Sequence, residues 1–570
     1  MTTTEIHNFL LDEPSVCNIF VQEKKQYNRH FYLYVINCEL VIGDTLFPLT
    51  IGIPEDWDQN LFDFYISDGF QFPFLPHVET NNKNKLCLFD LEGTLIVQDF
   101  FGLLDQCVQQ AIKLLSDGLN GKNRIDLIHE FSSYWDALPN ILYSRCVAQF
   151  SSDVGPLRYV LKTVQQPRPK KPSYTFFISE DCSSFSDWGI NGTQKIGGFI
   201  CLSPKEYLYP PDPRNQLSLS FINDLLRQVP SQKIRTSFRK IGCDKLFVFL
   251  IHQPDETETL LGVFAPKSEF TEVDGYYQLR LENGSTLYPL RIQRVDSKYL
   301  LQRTAHSQDL VHRCLIIGCG SIGGYLASQL AQSGIRDLTL IDPDIITPEN
   351  IYRHYLGRAY IGQYKAEALS NRLQTDIPNL KIKPISQTIQ YALENCDINF
   401  SQFSIIVSAT GNHNVNRWIN RQLISAHIQV PTFYVWNEPL DLGCHVAIIN
   451  NDGTASYENL FYHDSTSGDF YDLTAYCAPG QKITRQVSGC SNSFVPYAAI
   501  VSIKSAALCV DSIFAYFDKR YRPNSVISLK GDAFYFTNAG LKISPVFLAQ
   551  NDSVQVTPLD QLVPLDGVTS

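Results

Sequence analysis

The 570-residue sequence lacks the patterns that mark several classes of protein. No two of its 15 cysteines stand at the C-x-x-C spacing of paired zinc ligands, and no run of about 18 apolar residues is present to span a bilayer. Residues 1–13 are polar and mildly acidic, without the basic segment and apolar core of a signal peptide. We therefore expect a cytoplasmic protein with reduced thiols, no membrane span and no zinc held by paired thiolates.

An excess of positive charge is also lacking. The chain carries 47 Lys and Arg against 58 Asp and Glu, a formal net charge of −11, whereas binding to nucleic acid needs clustered cations. The basic residues at 168–171, in QPRPKKP, are interpreted as a solvated linker. We expect protein partners and no nucleic acid.

The first part of the chain is predicted to be an α+β domain over residues 1–140. Residues 31–53 contain short β-rich runs with a turn at Gly43. Residues 100–115 carry apolar side chains at three- and four-residue steps, which is typical of a helix.

Two further domains are predicted after it, so the protein is multidomain. Residues 150–303 mix Pro-rich breaks with strand-like and helix-like runs and indicate an α/β central domain. Within it His252, Asp255 and Glu256 are interpreted as surface residues, because no nucleophile or ligand spacing accompanies them. Residues 304–570 alternate apolar strands with helices, as in a doubly wound Rossmann-like sheet. The strands are predicted at residues 313–317, 404–409 and 431–436.

A glycine loop opens the third domain. Gly318, Gly320 and Gly323 join a predicted strand to a predicted helix, and Asp342 ends the next strand. Glycines let backbone N–H groups and a helix N-terminus approach phosphate oxygens, and a carboxylate at that strand end can accept hydrogen bonds from ribose hydroxyls. The spacing predicts a nucleotide site.

The residues beyond Asp342 favour a triphosphate over NAD. Asp344, Asn350 and Arg353 follow the strand in IDPDIITPENIYRHYLG, and Lys365 begins the next predicted helix. Two cations and two polar groups at the phosphate end suit ATP and a developing pyrophosphate. No hydride-transfer base with a substrate arginine is apparent near the loop.

These motifs together resemble the adenylation domain of the ubiquitin-activating (E1) superfamily, which includes ThiF and MoeB, over residues 306–530. The resemblance implies that a carboxylate attacks the α-phosphorus of ATP to give an acyl-adenylate, with Mg²⁺ as a cofactor. It implies that Asp342 holds the ribose, and it assigns roles near the phosphates or in the following polar helix to Asn350, Arg353, Lys365, Asn416 and Arg417.

The sequence departs from this superfamily at two places. His354 stands where the superfamily usually has Gln. Residues 408–412 lack the acidic residue that is often placed beside the metal. The metal ligands therefore stay open, and Asp342 or Asp344 is the hypothesised substitute.

An E1 of the thioester-forming kind also needs a cysteine near the adenylate. The candidates are Cys477 in TAYCAPG and Cys490 in VSGCSNSF. We favour Cys490 because a helical run follows it, and a helix N-terminus lowers the pKa of a nearby thiol. Cys509, inside that run, is interpreted as a buried apolar residue.

The amino-terminal domain carries a second motif. His77, in LPHVE, lies ten residues before Cys87, in KLCL. This segment resembles the active-site segment of bacterial ubiquitin-conjugating (E2-like, UBC-type) domains. The resemblance implies that Cys87 carries a thioester and that His77 shapes the site or stabilises an oxyanion.

The order E2-like then E1-like resembles the fused transferases of bacterial CBASS antiphage systems. That resemblance implies a central, degenerate adenylation-like domain used for homodimerisation. It also implies a partner with a flexible C-terminal tail, either a cGAS-like nucleotidyltransferase or a ubiquitin-like protein, whose acyl group ends on a target amine. Two alternatives stay open: a sulfur-carrier type of enzyme that stops at the acyl-adenylate, and an inactive binding scaffold.

Overall fold

The computed structural model describes residues 1–89, 96, 99–147, 150, 153–164, 173–181, 183–237, 244–301, 312–465, 468, 470–486 and 493–564. The chain divides into two compact units, Met1–Val295 and Asp296–Ser570.

Unit 1 begins with an antiparallel sheet of strand order β1-β2-β3-β4-β6-β5. The elements of this part are α1 (Thr3–Leu11), β1 (Val16–Tyr27), β2 (His30–Ile42), β3 (Thr45–Ile53), β4 (Asp63–Ile66), β5 (Val78–Glu79), β6 (Lys85–Leu86), α2 (Phe100–Leu119), α3 (Asp126–His129) and α4 (Phe131–Asp136).

The sheet and helix α2 confirm the predicted α+β pattern. Gly43 has a φ of +60° in the turn between β2 and β3, a conformation that glycine adopts without strain. Asp99 caps α2 by accepting a hydrogen bond from the N–H of Gly102 at 2.8 Å. The buried face of α2, which includes Leu104 and Leu115, packs in one apolar cluster with the inner face of the sheet.

The rest of unit 1 is a closed barrel of strand order β10-β11-β12-β15-β7-β9-β8, in which β8 pairs with β10. Its elements, with a separate β13–β14 hairpin, are β7 (Leu142–Cys146), β8 (Val154–Val164), β9 (Ser173–Ser179), α5 (Ser183–Asp187), β10 (Gln194–Leu202), α6 (Leu219–Leu226), α7 (Ser231–Ser237), β11 (Lys245–His252), β12 (Glu258–Ala265), β13 (Ser268–Val273), β14 (Tyr276–Leu281) and β15 (Tyr288–Arg294).

This barrel differs from the adenylation-like sheet that was expected by analogy for residues 150–303. Strands β11 and β12 are antiparallel neighbours joined by a short turn, so no crossover helix separates them. The barrel also includes β7, which pairs with β15 and β9 and begins before residue 150. Asp255 and Glu256 are exposed, as predicted, and His252 is partly exposed.

Helix α4 belongs to both parts of unit 1. Phe131 and Trp135, on α4, and Leu138, just after it, are buried in the same apolar cluster as barrel strands β11 and β12. The indole N–H of Trp135 donates a hydrogen bond to the carbonyl oxygen of Leu290, in β15, at 3.1 Å. The barrel therefore fixes the position of α4.

Unit 2 is built on one eight-stranded sheet of order β18-β17-β16-β19-β20-β21-β26-β27. Its elements are α8 (Ser297–Leu301), β16 (Arg313–Ile317), α9 (Ser321–Gln332), β17 (Asp337–Ile341), α10 (Lys365–Asp376), β18 (Lys381–Ile385), α11 (Ile389–Asn395), β19 (Ile405–Ser408), α12 (His413–Ser425), β20 (Thr432–Asn437), β21 (Gly443–Ile449), β22 (Phe461–His463), β23 (Phe470–Asp472), β24 (Arg485–Gln486), β25 (Ser493–Phe494), α13 (Ala499–Phe517), β26 (Ser525–Lys530), α14 (Phe534–Asn538), α15 (Pro545–Ala549) and β27 (Val554–Pro558).

The three strands predicted in this region are confirmed as β16, β19 and β20. The strands from β18 to β20 run parallel, and the remaining pairs are antiparallel. The chain order reverses direction between β16 and β19, which is where ligands bind in doubly wound sheets. The glycine loop lies at this point.

Helix α13 is long and largely apolar. Of the described residues, this is the one helix that is long and apolar enough to cross a bilayer. More than half of it is buried, and Ala506, Cys509 and Ile513 lie in the core beside β16. The core helix of a folded domain has the same length and composition, so the finding is weak evidence for a membrane.

Candidate functional site

The glycine loop is packed so closely that two of its glycines have no room for a side chain. Gly318 has a φ of +91°, and a Cβ there would lie 2.8 Å from the carbonyl oxygen of Ala409. A Cβ on Gly323 would overlap the carbonyl oxygen of Gly318. Gly320 precedes α9 and faces open space. The N–H groups at the start of α9 are therefore accessible to an anion.

Asp342 fastens the loop from the end of β17. Its buried carboxylate accepts hydrogen bonds from the N–H of Cys319 at 2.7 Å and from the N–H of Asp344 at 2.9 Å. Burial raises the pKa of Asp342, and the nearby Lys365 ammonium opposes that rise. Each carboxylate oxygen keeps a further lone pair, so a ribose hydroxyl can still donate to it.

His354 fastens the other side of the loop. Its Nε2–H donates to the carbonyl oxygen of Cys319 at 2.7 Å, and its Nδ1 accepts from the N–H of Leu356 at 3.0 Å. These partners fix a neutral tautomer. Burial, with the nearby Lys365 and Arg353 charges, lowers the pKa of His354. The departure from Gln at this position thus has a structural role.

The two predicted cations have different partners. The ammonium of Lys365, at the start of α10, is 2.8 Å from the Asp344 carboxylate. The guanidinium of Arg353 lies over the ring of Tyr497, 5.2 Å from its centroid. The hydroxyl of Tyr497 is 2.8 Å from that of Ser321, the first residue of α9. Sequence reasoning missed Tyr497, because no local pattern links it to Ser321, 176 residues earlier in the chain.

The other polar residues named from the sequence have structural partners. Asn350 accepts from the N–H of Thr347 in a capping box. Asn416 is buried and accepts from the hydroxyl of Ser408 at 2.6 Å. Arg417 forms an ion pair with Glu458.

A cavity of about 550 Å³ opens beside the glycine loop. This volume is in the range of small-molecule sites. Its walls include Gly320, Ser321, Thr410, Gly411, Glu438, Asp472, Cys477 and Tyr497.

Cys477 is therefore in the same cavity as the loop. Its sulfur accepts from the side-chain N–H of Gln481 at 3.6 Å. Burial, and then the charge of Glu438, raise the pKa of Cys477 to about 11. Cys319 and Cys509 are fully buried, and burial raises the pKa of each thiol well above its ordinary value.

Cys490 lies outside the described residues. Helix α13, the helical run that follows it along the chain, begins at Ala499, and the choice between Cys490 and Cys477 stays a prediction.

The described part of the chain has no group of three or more His, Cys, Asp or Glu side chains placed to hold a metal ion. Asp342 and Asp344, the hypothesised substitutes, already bind backbone N–H groups or Lys365. Asp472 lies in the same cavity as Gly411 and accepts from Thr474, while its second oxygen is 3.9 Å from the Nε2 of His413. Mg²⁺ is commonly held by one or two carboxylates together with substrate phosphates, so Asp472 fits this ion.

The E2-like motif forms a second site, in unit 1. Strands β5 and β6 pair so that Val78 faces Leu86, and the N–H of Cys87 donates to the carbonyl oxygen of His77 at 2.9 Å. His77 and Cys87 are thus held side by side. Cavities of about 450 Å³ and 520 Å³ adjoin them on two sides.

His77 is the centre of a charged network. Its Nε2 is 3.0 Å from Asp126, and its Nδ1 is 2.9 Å from Glu130. The hydroxyl of Tyr134 accepts from the N–H of His77 at 2.8 Å and donates to Glu130 at 2.7 Å. The hydrogen bond to Glu130 is the main cause that raises the pKa of His77 to about 9.

This network corrects one role expected for His77. Both ring nitrogens bind carboxylates, so neither N–H is left to stabilise an oxyanion in this arrangement. That His77 shapes the site stays a prediction. Sequence reasoning missed Asp126, Glu130 and Tyr134, which lie on α3, α4 and the turn between them.

Comparisons with known proteins agree with two such parts. Residues 302–538 match the ThiF family, and residues 20–142 match Prokaryotic E2 family B. An ATP-dependent ubiquitin transferase-like protein Cap2 from Pseudomonas aeruginosa is 28% identical over 469 residues, 79% of this chain and 81% of that protein. The NEDD8-activating enzyme E1 catalytic subunit of Schizosaccharomyces pombe is 31% identical over 114 residues, 20% of this chain and 25% of that subunit.

Among solved structures, Escherichia coli MccB with ATP is similar to 45% of this chain. The matched region is 65% of the MccB chain, at 18% identity and with a TM-score of 0.32. At this score the likeness carries no functional argument.

Proposed function

We propose, on the premise that this chain is a fused E2-like and ThiF-type (E1-like) conjugating enzyme, that it activates the C-terminal carboxylate of a protein partner with ATP and transfers the acyl group to an amine. The observation that carries the proposal is the cavity lined by both the glycine loop and Cys477. A thiol in that cavity can reach a carboxylate that is activated at the loop.

In the first step a carboxylate oxygen of the partner attacks the α-phosphorus of ATP, and the bond to pyrophosphate breaks. The N–H groups at the start of α9 face the phosphates, and Asp342 accepts from the ribose. Arg353 and Lys365 balance the negative charge on pyrophosphate as it leaves. Mg²⁺, when bound, neutralises part of the same charge, and Asp472 is the residue that we assign to hold it.

In the second step a thiol attacks the carbonyl carbon of the adenylate and AMP leaves. Cys477 or Cys490 supplies this thiol. The acyl group then passes to Cys87 by thioester exchange, and finally to an amine of a target protein. The raised pKa of Cys477 means that its proton must be removed as the bond forms.

The partner in this proposal is a cGAS-like nucleotidyltransferase or a ubiquitin-like protein with a flexible C-terminal tail. Small residues at the cavity wall, Gly320, Gly411 and Ala475, leave room for an extended tail. We propose that the protein acts as a homodimer in the cytoplasm, as part of antiphage defence.

The test uses the full chain, ATP and the purified product of the neighbouring gene. We expect partner-dependent ATP–pyrophosphate exchange and DTT-sensitive adducts on peptides that contain Cys87 and either Cys477 or Cys490. Cys87→Ala should abolish conjugation while exchange persists, and Cys17→Ala, a partly exposed thiol of the same part, should change neither.

Two outcomes would contradict the proposal in different ways. Full conjugation by Cys87→Ala would remove the relay and leave a sulfur-carrier type of enzyme. Absence of any partner-dependent pyrophosphate exchange would indicate a binding scaffold.

A further inference from the structure

We propose that Glu79 accepts the proton of the Cys87 thiol when Cys87 captures an acyl group. The inference rests on the proposed transfer function and assigns a further catalytic residue to it. Oε1 of Glu79 is 3.5 Å from Sγ of Cys87, within the reach of a hydrogen bond from a thiol. Both side chains line the cavity of about 450 Å³, so an incoming acyl group can approach the sulfur there.

The second oxygen of Glu79 is held by a chain of amides. Asn82 donates to Oε2 of Glu79 at 2.7 Å, and Asn28 donates to Oδ1 of Asn82 at 2.8 Å. The contact with Asn28 fixes which end of the Asn82 amide faces Glu79. Oε1 is thereby directed to the sulfur.

The thiol needs such a group. Partial burial against the cavity wall, and then the charge of Glu79, raise the pKa of Cys87 to about 12. Glu130 contributes to the rise, and Lys85 opposes it. The reactive thiolate is therefore a very small fraction at neutral pH, although Cys87 as a residue is exposed.

Of the other titratable groups around this sulfur, His77, Glu130, Asp126 and Lys85 are already engaged, Lys85 by Asp63 at 2.6 Å, and Lys113 and Asp117 line the second cavity. His77 donates through both ring nitrogens and is a cation at neutral pH. Glu130 binds His77 with one oxygen and Tyr134 with the other, and Asp126 binds His77. In the part of the chain that the structure describes, Glu79 is the carboxylate with an oxygen at the sulfur.

The acyl group moves from one sulfur to another. Sγ of Cys87 attacks the carbonyl carbon of a thioester, and its proton passes to Oε1 of Glu79. The new C–S bond forms, the bond to the donor sulfur breaks, and the donor leaves with the electron pair. The Glu79 carboxylic acid then returns the proton to the departing thiolate or to water.

The experiment separates proton acceptance from simple electrostatics and bypasses ATP. A short peptide thioester of 2-mercaptoethanesulfonate is the acyl donor to the full chain, and iodoacetamide reports the thiolate. Both adducts are counted by mass spectrometry on the peptide that contains Cys87. The variants are Glu79→Gln, Glu79→Asp and the exposed control Glu55→Gln.

Glu79→Gln should raise the alkylation rate, because a negative neighbour is removed, and lower the capture rate by about tenfold or more. Glu79→Asp should leave alkylation near the parent rate and retain part of capture, and Glu55→Gln should change neither. If Glu79→Gln raises both rates, or changes neither, Glu79 is only an electrostatic neighbour and the inference fails.

A fall in both rates at an unchanged melting temperature also overturns it. If Glu79→Gln melts at a lower temperature than the parent, the test is the rate of acyl capture measured against pH. In the parent and in Glu79→Asp this rate must fall at acid pH. A rate that does not fall there refutes the inference. Failure of ATP-dependent activation leaves these results intact, because the donor is already a thioester.

Discussion

Replacing His77 with Asn removes the cation from the network beside Cys87, and Asn can adopt the backbone conformation found at this position. His77 has a φ of +60°, a left-handed conformation that Asn tolerates better than most residues. The rise in the pKa of His77 from 6.5 to about 9 corresponds to about 3 kcal/mol of stability, because one pKa unit is about 1.4 kcal/mol. The side chain is 25% exposed, so this figure is an upper range.

The sign of the pH dependence follows from the raised pKa. A group that binds its proton more tightly when folded stabilises fully below its unfolded pKa of 6.5, and the stabilisation is lost as pH rises through about 9. The difference between parent and variant should thus be about 3 kcal/mol at pH 6 and about 2 kcal/mol at pH 7.5, and it should nearly vanish at pH 10.

Urea unfolding at these three pH values, followed through the transition of unit 1, measures the difference. His129→Asn is the matched control, because His129 also faces an aspartate, Asp255, at 3.0 Å but is 52% exposed. The free energy of unfolding of His129→Asn should differ from that of the parent by no more than about 1 kcal/mol at every pH. A His77→Asn effect that is the same at pH 6 and pH 10 would refute the assignment of a stabilising imidazolium.

Three further predictions concern unit 2. Tyr497→Ala should raise the KM for ATP in pyrophosphate exchange by about tenfold, because the contacts with Arg353 and Ser321 are lost. Tyr497→Phe should raise this KM by less. Equal KM values in both variants and the parent would contradict the role of Tyr497. His354 is buried with a lowered pKa, so unit 2 should lose stability as pH falls below the unfolded value of 6.5, and His354→Gln should flatten that loss in thermal melts at pH 5 and pH 7. Asp472→Asn should shift the Mg²⁺ dependence of exchange to roughly tenfold higher concentration, whereas an unchanged dependence would remove Asp472 from the ion.

The parts of the site that the sequence predicts are those that lie close together along the chain. The glycine loop and Asp342 fall within one strand, helix, strand unit, and their contacts are set by that unit. Tyr497 and Asp472 reach the same cavity from distant segments, which no local spacing encodes. Asp472, which comes from β23, lines the same cavity as Gly411, where the sequence lacks the acidic residue.

The barrel of unit 1 likewise depends on strand pairings that the sequence does not encode locally. Apolar runs in the sequence identify β11 and β12 as strands, but they do not say which strands pair or that the sheet closes. Pairing is decided by tertiary packing, in which β7 joins β15 and β9 from outside the expected boundary. His77 was identified from its motif, yet its charge depends on carboxylates that only folding brings to it.

Helix α4 has a practical consequence for dissecting the molecule. One of its faces is barrel core, through Phe131 and Trp135, and another holds His77 through Tyr134. A chain cut after residue 140 would expose the rings of Phe131 and Trp135 to solvent. It would also weaken the contact by which Tyr134 holds His77 beside Cys87. The reactivity of Cys87 in an excised amino-terminal part is thus a poor guide to its reactivity in the intact protein. Substitutions in the barrel core can change the reactivity of Cys87 without touching it.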